Sequence, residues 1–386
     1  MRHTSNVILD PDALAFNIAF LQKEMGEDIL ISSVVKGNAY GHGIETFVPI
    51  AESCGIRHFS VFSYSEAQRV QRSLQQQLPV MVMGHLPEAD LAQAIHDELE
   101  FFVFDLRRLE AAVQIARDLG KKALIHIELE TGMNRTGFSK AILLAQVVPF
   151  LLEHKAHYVL KGICTHFAGA ESIANYVRIE AQKQSFTHLR SEFLKAGLHP
   201  EYTHTCCSAA AITQKEMRYN MVRIGILQYG LWPSPEIKIE LLRQKRLSVF
   251  QLHRVLSWES QLLVIKDVKM GEFIGYGNNY QAGEDMRIGV VPVGYADGYS
   301  RMLSNSGTVL IAGVRAAVLG NVNMNSIVID LRNIPEAAVG DRVVLIGMDG
   351  DNEISVASFG ELSNQLNYEL LSRLSMDIPR IKAQAD

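Results

Sequence analysis

The most informative segment of the chain is Ser33-Val34-Val35-Lys36-Gly37-Asn38-Ala39-Tyr40-Gly41-His42-Gly43. A mostly apolar run from Ile29 to Val35 ends abruptly at Lys36, and a loop with glycine and histidine follows. This pattern predicts a buried strand that places one amine at the edge of a core. Because burial disfavours the charged form of lysine, the pKa falls and the amine can form a Schiff base with a carbonyl cofactor. The alternative interpretation is a surface lysine at a strand end.

Length and composition set the broad class of the protein. The chain has 386 residues, 48% hydrophobic residues and a net charge of -5, which predicts a sizeable core and two or three domains. The mild acidity argues against a nucleic-acid partner or an anionic membrane partner. No apolar run approaches the roughly 20 residues of a membrane span, and Met1–Asn6 lacks the apolar core of a signal peptide. We therefore expect a cytoplasmic protein.

The four cysteines do not form a pattern that indicates cross-links. They are Cys54, Cys164, Cys206 and Cys207, and the last two are adjacent, which is poor geometry for a disulfide bond. No C-x-x-C pair is present. The sequence therefore predicts reduced thiols and no metal site.

Strand-like and helix-like segments alternate through about the first 230 residues. The candidate strands are Ile29–Val35, Arg57–Phe62, Pro79–Met83, Glu100–Phe104, Ala123–Leu129, Val159–Thr165, Glu201–Cys206 and Met221–Ile226. Helical patterns between them include Asp10–Met25, Tyr64–Leu78, Asp105–Leu119 and Ser172–Ala196. Eight short apolar strands that alternate with helices predict a closed (β/α)8 barrel in the α/β class. An open sheet of eight strands is the alternative.

The pattern changes from about Leu241 onward, where short alternating segments predict a mostly-β domain. These segments are Ser257–Ile265, Met286–Pro292, Thr308–Ile311, Ala316–Leu319, Ser326–Asp330 and Arg342–Ile346. A final helix is predicted over Ser358–Leu374. With a boundary near Trp232-Pro233-Ser234-Pro235, we expect a barrel over residues 1–235 and a C-terminal β domain over 236–386. The first few residues could pair with the β domain.

Polar residues follow several of the predicted barrel strands. Functional groups in such barrels lie at the C-terminal ends of the strands, where the ends meet at one mouth. The residues at these positions are Lys36, Arg135, His166, His204, Ser208, Arg223 and Gly225. Any one of them alone would be unremarkable, because a single histidine is more often structural and a single arginine is more often a solvated charge. Their convergence predicts an active site.

Together these motifs resemble those of the alanine racemase family, and the resemblance runs from about Asn6 to Ile381. The family uses pyridoxal phosphate, so the resemblance implies that Lys36 holds this cofactor covalently. The residues implied for its phosphate group are Tyr40, Ser208, the backbone amides of Gly225 and Ile226, and Tyr368. A glycine-permitted turn that exposes N–H groups to an anion fits this assignment.

The resemblance also assigns the charged residues of the mouth. Arg223 would face the pyridine nitrogen of the cofactor, and His204 would support Arg223. Arg135 would contact the phenolic oxygen of the cofactor and help to place the substrate carboxylate, and His166 belongs to the implied cofactor site. A guanidinium donates a hydrogen bond but does not readily give up its proton, so the ring nitrogen would stay unprotonated.

The β domain would supply the second base. The segment Gly275-Tyr276-Gly277-Asn278-Asn279-Tyr280 resembles the catalytic tyrosine segment of the family. Lys36 and Tyr276 on opposite faces of a planar carbanion would allow proton removal from one side and return on the other. In the family this tyrosine reaches into the barrel of the partner subunit, so a head-to-tail homodimer is implied. Tyr295, the backbone amide of Met324 and Asn325 would contact the amino-acid substrate.

Three positions depart from the family pattern. Glu128 stands where a lysine, often carbamylated, is common; Cys207 replaces asparagine, and Asn325 replaces aspartate. Glu128 and Glu130 alternate onto one side of their strand, so one of them could pair with Arg135. We expect an L-alanine/D-alanine racemase. The alternatives are a racemase for serine, lysine or ornithine, a decarboxylase of similar architecture, and a non-catalytic pyridoxal-phosphate carrier.

Overall fold

The structure is a computed structural model that describes residues 3–243, 252–363 and 367–383. The chain divides into two compact units. The barrel unit comprises Asp12–Lys36 and Val48–His253, and the β unit comprises Met1–Pro11, Gly37–Phe47 and Arg254–Asp386. Within the described ranges, no helix is both long enough and apolar enough to cross a membrane.

The barrel unit contains eight parallel strands. Strand β1 (Ser5–Leu9) belongs to the β unit, and the barrel strands that follow it are β2 (Leu30–Val34), β3 (His58–Val61), β4 (Val80–Val82), β5 (Glu100–Val103), β6 (Ala123–Glu128), β7 (Tyr158–Cys164), β8 (Tyr202–His204) and β9 (Met221–Ile224). Their spatial order is β8-β7-β6-β5-β4-β3-β2-β9. Strands β3, β4, β5 and β9 are buried along their whole length, as parallel strands covered on both faces should be.

The two ends of this strand order meet and close the barrel. The backbone N–H of Arg223 in β9 donates to the carbonyl oxygen of Cys206, just beyond β8, at 3.0 Å. At the other end of the same seam, the side-chain oxygen of Asn220 accepts from the backbone N–H of Thr203 at 2.8 Å. The predicted (β/α)8 barrel is therefore confirmed, and the open-sheet alternative is wrong.

Helices connect the barrel strands, and local capping explains where several of them begin and end. The α-helices up to residue 243 are Pro11–Met25, Ile44–Ser53, Tyr64–Ser73, Glu88–His96, Leu106–Leu119, Lys140–Ile142, Val148–Glu153, Tyr176–Lys195, Ser208–Thr213 and Pro235–Arg243. The side chains of Ser63 and Asp105 accept hydrogen bonds from the first turns of the helices that follow them. The helix Leu106–Leu119 ends at a left-handed Gly120.

The β unit is built on a sheet of ten strands. Its remaining strands are β10 (Leu256–Gln261), β11 (Val264–Val268), β12 (Met286–Val291), β13 (Thr308–Ile311), β14 (Val314–Leu319), β15 (Ile327–Asp330), β16 (Arg342–Asp349), β17 (Asn352–Ile354) and β18 (Arg380–Lys382). The order is β11-β12-β15-β14-β13-β16-β10-β1-β18, with β17 paired to β16. The fully buried ring of Tyr299 lies between Trp258 and Phe359, at centroid distances of 6.2 and 5.4 Å.

Three expectations for the β unit need correction. The predicted strand Ser257–Ile265 is two strands, β10 and β11, which pair with different neighbours, β16 and β12. The predicted helix Ser358–Leu374 is two helices, Val356–Ser363 and Asn367–Ser372, and residues 364–366 between them lie outside the described ranges. Strands β17 and β18 lie outside every predicted segment, and the first residues, for which pairing with the β domain was considered, form strand β1. Strand β1 runs antiparallel to β10 and parallel to β18.

Candidate active site

The residues predicted for the barrel mouth lie at the C-terminal ends of the barrel strands, which we call the rim. Lys36 follows β2, His166 follows β7, and His204 is the last residue of β8. Arg135 lies in the loop after β6 and Arg223 lies in β9. The charges of Arg135 and Arg223 act on both Lys36 and His166, so these four groups share one electrostatic environment at the rim.

Lys36 combines access with an activated amine. The residue is exposed to solvent. The surrounding protein nevertheless removes water from the amine, and this desolvation is the main cause that lowers its pKa. The positive charges of Arg135 and Arg223 lower the pKa further. A lysine in this setting carries the uncharged, nucleophilic amine at a lower pH than a lysine in water.

Two residues that were not predicted as part of the site hold the end of β2, the strand that leads to Lys36. The hydroxyl of Tyr229 and the side-chain amide of Gln228 both donate to the carbonyl oxygen of Val34, at 2.9 and 3.1 Å. The hydroxyl of Ser33 donates to the Gln228 side chain at 2.7 Å. Because Gln228 and Tyr229 are almost completely buried, they hold the end of β2 in one position relative to β9.

His166 is a neutral histidine at the rim. Burial is the main cause that lowers its pKa to about 3, and the positive charges of Arg223, Arg135 and Lys36 add to this effect. Its backbone carbonyl accepts from the side-chain amide of Gln182 at 3.0 Å. The imidazole can therefore donate one hydrogen bond and accept another at neutral pH, but it does not add a positive charge.

Arg223 is held by four hydrogen bonds that leave one donor unused. Its Nη1 donates to Nδ1 of His204 and, at 2.9 Å, to the carbonyl oxygen of the same residue. Its Nη2 donates to the carbonyl oxygens of Thr165 and Thr205, at 2.9 and 3.4 Å. The Nε–H group has no partner among the residues that the structure describes, so it remains available to a ligand.

A group of donors suited to an anion lies where β8 and β9 end. Ser208 begins the helix Ser208–Thr213, and its hydroxyl oxygen accepts from the backbone N–H of Gly225 at 2.9 Å. That hydroxyl can still donate its own proton. Ile226 begins the short 3-10 helix Ile226–Tyr229, where first-turn N–H groups lack intrahelical acceptors. Ser208, Gly225 and Ile226 are thus brought together, as expected.

The loop after β6 is organised by Glu130 and not by an ion pair. The carboxylate of Glu130 accepts from the backbone N–H groups of Gly132, Asn134 and Arg135, at 2.8 Å for Asn134 and 3.3 Å for Arg135. Across the described residues, Arg135 makes no ion pair with an acidic side chain. The expected direct pairing of Arg135 with Glu128 or Glu130 is therefore corrected to a longer-range attraction, which acts on the buried carboxyl of Glu128.

In the β unit, the segment after Lys36 forms one turn of left-handed helix. Gly37, Asn38 and Ala39 have φ values of 62°, 56° and 54°, and Tyr40 and Gly41 continue with 50° and 78°. The backbone N–H of Gly41 donates to the carbonyl oxygen of Gly37 at 3.0 Å. A left-handed conformation costs roughly 1–2 kcal/mol for each residue with a side chain, and such strain is typical of functional segments.

The left-handed turn presents Tyr40 beside the second tyrosine implied for the phosphate. The rings of Tyr40 and Tyr368 lie 5.9 Å apart between centroids. Gly41 packs directly on the helix Asn367–Ser372, which carries Tyr368. The β unit therefore brings together the two tyrosines that are separated by more than three hundred residues in the sequence.

This packing leads to a prediction for Gly41→Ala. The added Cβ would lie 2.9 Å from the carbonyl carbon of Leu371 and closer still to its oxygen. The variant would also place a side chain at φ +78°. We expect the free energy of unfolding to fall by roughly 2–4 kcal/mol, measured by chemical denaturation. The control Gly271→Ala has φ +88° but open space around the new Cβ, so it should lose only about 1 kcal/mol. Equal losses in the two variants would contradict the packing argument.

The remaining predicted residues share one exposed edge of the β unit. The Tyr276 side chain is 75% exposed, and its carbonyl oxygen accepts from the Asn321 amide at 2.9 Å. The backbone N–H of Tyr295 donates to the carbonyl oxygen of Asn323 at 3.0 Å. The backbone N–H of Ala296 donates to the carbonyl oxygen of Met324 at 2.9 Å. Asn325 follows and is also exposed. Tyr276, Tyr295, Met324 and Asn325 are therefore linked through the segment 321–325.

Comparison with known proteins agrees with both units. The family model for the alanine racemase N-terminal domain matches residues 9–233, and the model for the C-terminal domain matches residues 255–382. An alanine racemase of Leptospira interrogans is 31% identical over 98% of this chain and 96% of its own length. An alanine racemase of Methanococcus maripaludis is 33% identical over 97% of both chains.

Solved structures show the same similarity. The crystal structure of alanine racemase from Bacillus anthracis with bound L-Ala-P has a TM-score of 0.91 at 32% identity, covering 100% of this chain and 96% of that one. The alanine racemase from Streptomyces lavendulae gives a TM-score of 0.90 at 26% identity, covering 100% and 98%. With two matched domain models and relatives above 30% identity along nearly the whole sequence, the chain belongs to the alanine racemase family.

Proposed function

We propose that this protein is a pyridoxal-phosphate-dependent racemase that interconverts L-alanine and D-alanine by a two-base mechanism. The observation that carries the proposal is the exposed residue Lys36, whose amine has a lowered pKa at a rim that also holds Arg135 and Arg223. The relatives named above are alanine racemases, which supports alanine over serine, lysine or ornithine. The matched C-terminal domain model favours a racemase over a decarboxylase or a non-catalytic carrier.

The residues of the rim fit pyridoxal phosphate. An aldehyde needs an uncharged amine, which Lys36 supplies at a lower pH than usual. A phosphate needs several donors, and the Ser208 hydroxyl lies beside the backbone N–H groups of Gly225 and Ile226. Tyr40 and Tyr368 are proposed to complete this phosphate site. A ring nitrogen needs one donor, and Nε of Arg223 has a hydrogen to give.

The chemistry then divides between the cofactor and the chain. When bound, pyridoxal phosphate supplies an electron-withdrawing ring that stabilises negative charge on the α-carbon of an amino acid. Lys36 and Tyr276 are proposed to remove and return the α-proton on opposite faces. Arg223 stays protonated and donates a hydrogen bond without transferring its proton, which limits how strongly the ring withdraws electrons. His204 holds the guanidinium, and His166 stays neutral beside it.

Four residues are proposed to contact the substrate. Arg135 would attract the substrate carboxylate, and the backbone amide of Met324 would donate to it. Tyr295 and Asn325 would border the substrate, which fits their exposure on the same edge as Tyr276. Cys207 lies close enough to Lys36 to influence its pKa, so this departure from the family pattern falls near the reacting amine.

We further propose a head-to-tail homodimer in which Tyr276 acts in the barrel of the partner subunit. The high exposure of Tyr276 supports this, because a side chain that its own subunit leaves exposed can contact a substrate in another subunit. We also propose a domain boundary near residue 235 and a cytoplasmic location. Residue 235 lies in the gap between the two matched domain models, which end at 233 and begin at 255, whereas the compact barrel unit continues to His253.

The experiment that tests the function is a racemisation assay on the purified protein loaded with pyridoxal phosphate. L-alanine, L-serine, L-lysine and L-ornithine are incubated separately, and the D-enantiomers are separated by chiral chromatography. We expect D-alanine to form fastest. Faster racemisation of another amino acid would overturn the assignment of the substrate, and a protein that binds no cofactor would overturn the whole proposal.

A separate prediction concerns Glu128→Gln. Glu128 is buried, and burial is the main cause that raises its pKa, while Thr136, Arg135 and Arg223 partly oppose the rise. Its ionised form therefore balances the positive charge of Arg135 only above this raised pKa. We expect kcat/KM for alanine to fall about tenfold in the glutamine variant, which corresponds to ~1.4 kcal/mol.

The pH profile distinguishes this role from a general loss of packing. Wild-type kcat/KM should decline as the pH falls through the raised pKa of Glu128, and the glutamine variant should lack that decline. Added bicarbonate should leave both proteins unchanged, because the carboxylate of Glu128 needs no carbon dioxide to form. Wild-type kinetics in Glu128→Gln, with Arg135 unmoved in its crystal structure, would show that this carboxylate does not act on Arg135.

A further inference from the structure

A continuous chain of hydrogen-bonded polar side chains passes through the interior of the barrel. We call it the interior network, and its members are Ser60, Ser32, His58, Glu100, His126, His204 and Arg223. All of them are at most 5% exposed. It begins near the N-terminal ends of β3 and β5 and ends at Arg223, below the rim.

Glu100 lies at the centre of the interior network. One of its carboxylate oxygens, Oε2, accepts from Nε2 of His58 at 3.1 Å and from Nε2 of His126 at 2.9 Å. The other oxygen lies 3.4 Å from the amine of Lys161. Beyond His126, its Nδ1 lies 2.9 Å from Nε2 of His204, whose own Nδ1 meets Nη1 of Arg223.

The direction of every hydrogen bond can be derived from the Arg223 end. A guanidinium only donates, so Nδ1 of His204 must accept and its proton must be on Nε2. That proton points at Nδ1 of His126, which must therefore also accept. The single proton of His126 is then on Nε2 and points at Glu100.

The same directions follow from the opposite end. An ionised carboxylate only accepts, so Glu100 requires a proton on Nε2 of both His126 and His58. Nδ1 of His58 lies 2.8 Å from the hydroxyl of Ser32, which can donate or accept, so this contact does not assign that nitrogen. Because the derivations from Arg223 and from Glu100 agree, His126 and His204 carry their proton on Nε2, and all hydrogen bonds between Arg223 and Glu100 point toward Glu100.

The pKa directions are consistent with these protonation states. Burial alone would raise the pKa of Glu100, but the hydrogen bonds that its carboxylate accepts from His126 and His58 lower it below the ordinary value. Burial lowers the pKa of His126 and, together with the charge of Arg223, that of His204. Glu100 is thus ionised and these two histidines are neutral, with one proton each.

The orientation of Arg223 depends on this order. If His204 carried its proton on Nδ1, two donors would face each other in a buried position and the guanidinium would have to move. With the proton on Nε2, Arg223 keeps its four Nη contacts and leaves only Nε–H for a ligand.

We propose that Glu100 is a positioning residue, which fixes the Nε2 protons of His58, His126 and His204 and so holds Arg223 with Nε–H directed at the cofactor. This inference rests on the proposed function for its catalytic meaning. The proton positions themselves do not depend on it. Glu100 touches neither cofactor nor substrate and acts through two histidines in succession.

The first test is neutron diffraction on crystals of the pyridoxal-phosphate-loaded enzyme, which locates the hydrogens directly. We expect a proton on Nε2 of His58, His126 and His204, and none on Nδ1 of His126 and His204. A proton on Nδ1 of His126 or His204 would overturn the inference. If the protons are found where we expect them but the protein racemises no amino acid, the proposed function is wrong and the proton assignment of the interior network is retained.

The second test compares two substitutions at Glu100. In Glu100→Gln the amide oxygen can accept the same two hydrogen bonds, so the histidine protons and the absorption maximum of the bound cofactor should be unchanged. In Glu100→Leu no acceptor remains, so the absorption maximum should shift and kcat for alanine should fall by at least about tenfold. Identical spectra for both variants would overturn the inference.

A control at Lys161 separates positioning from packing. Lys161→Met removes the neighbour of the other Glu100 oxygen but leaves both histidine contacts. It should lower thermal stability without shifting the cofactor spectrum, and a spectral shift as large as that of Glu100→Leu would count against the inference. Should Glu100→Leu not fold, the histidine protons in the wild type and in Glu100→Gln decide, because an Nδ1 proton on His126 or His204 in either map overturns the assignment.

Discussion

Replacing Lys36 by alanine is expected to abolish racemisation and to remove the absorption band of the covalently bound cofactor. Lys36 is proposed to act both as the attachment point and as one of two bases. A positioned acid/base group alone contributes roughly 10²–10⁴-fold, and loss of the covalent link adds to that. The lowered pKa of the amine is the reason we expect this lysine, and not a lysine in water, to react with the aldehyde.

Absorption spectroscopy and peptide mass spectrometry after borohydride reduction measure this result. The wild type should carry the reduced cofactor on the peptide that contains Lys36, and Lys36→Ala should carry none. Lys195→Ala is a suitable control, because that side chain is 69% exposed and pairs with Glu192 on the same helix. An unchanged spectrum of the bound cofactor in Lys36→Ala, in protein that circular dichroism shows to be folded, would remove the assignment.

The barrel was predictable from the sequence because its strands are buried on both faces. Such strands appear as continuous apolar runs between turn residues, and each predicted strand agrees with the structure to within two residues at either end. The β unit is harder, because its strands have exposed positions. No turn residue separates Gln261 from Val264, so β10 and β11 were predicted as one strand, although Leu262 is buried and Leu263 is 48% exposed.

The rim was predictable for a topological reason and the interior network was not. Parallel strands in a barrel end at one mouth, so residues after successive strands could be grouped without knowing any contact. His58, Glu100 and His126 sit inside strands, and their contacts join residues 26 to 42 positions apart. One feature of the sequence did indicate it. Glu100 is the first residue of the otherwise apolar strand Glu100–Val103, and a buried charge requires partners.

The left-handed turn after Lys36 was also not predictable from local preferences. Gly37, Asn38 and Gly41 tolerate a positive φ, but Ala39 and Tyr40 disfavour it. Contacts distant in sequence must stabilise this conformation, and the packing of Gly41 against Leu371 is one of them. Glycines on either side of an unfavourable pair were the only hint in the sequence.

Tyr276→Phe is expected to stop racemisation, while exchange of the α-proton on one face of the substrate continues. The variant removes a single hydroxyl from an exposed side chain, so the fold should not change. Lys36 should still exchange the α-proton of one enantiomer of alanine with solvent deuterium, because its face is untouched. We expect the racemisation rate to fall by roughly 10²–10⁴-fold.

Proton NMR in deuterium oxide measures the exchange for each enantiomer separately. The control Tyr280→Phe removes a hydroxyl from the same segment. Among the described residues, the hydrogen-bond partner of that group is the sulfur of Met286, at 3.8 Å, and the variant should keep wild-type kinetics. Equal residual exchange of L-alanine and D-alanine in Tyr276→Phe would contradict two bases on opposite faces.

Mixing the two inactive variants tests where Tyr276 acts. If each active site combines Lys36 of one subunit with Tyr276 of its partner, a heterodimer of Lys36→Ala and Tyr276→Phe subunits contains one intact site and one doubly altered site. Random exchange in an equal mixture makes half of the dimers mixed, so about one quarter of wild-type activity should return. If both residues acted within one subunit, no pairing of these variants could rebuild a site. Continued inactivity after native mass spectrometry has verified subunit exchange would therefore assign Tyr276 to its own barrel and remove the shared-site proposal.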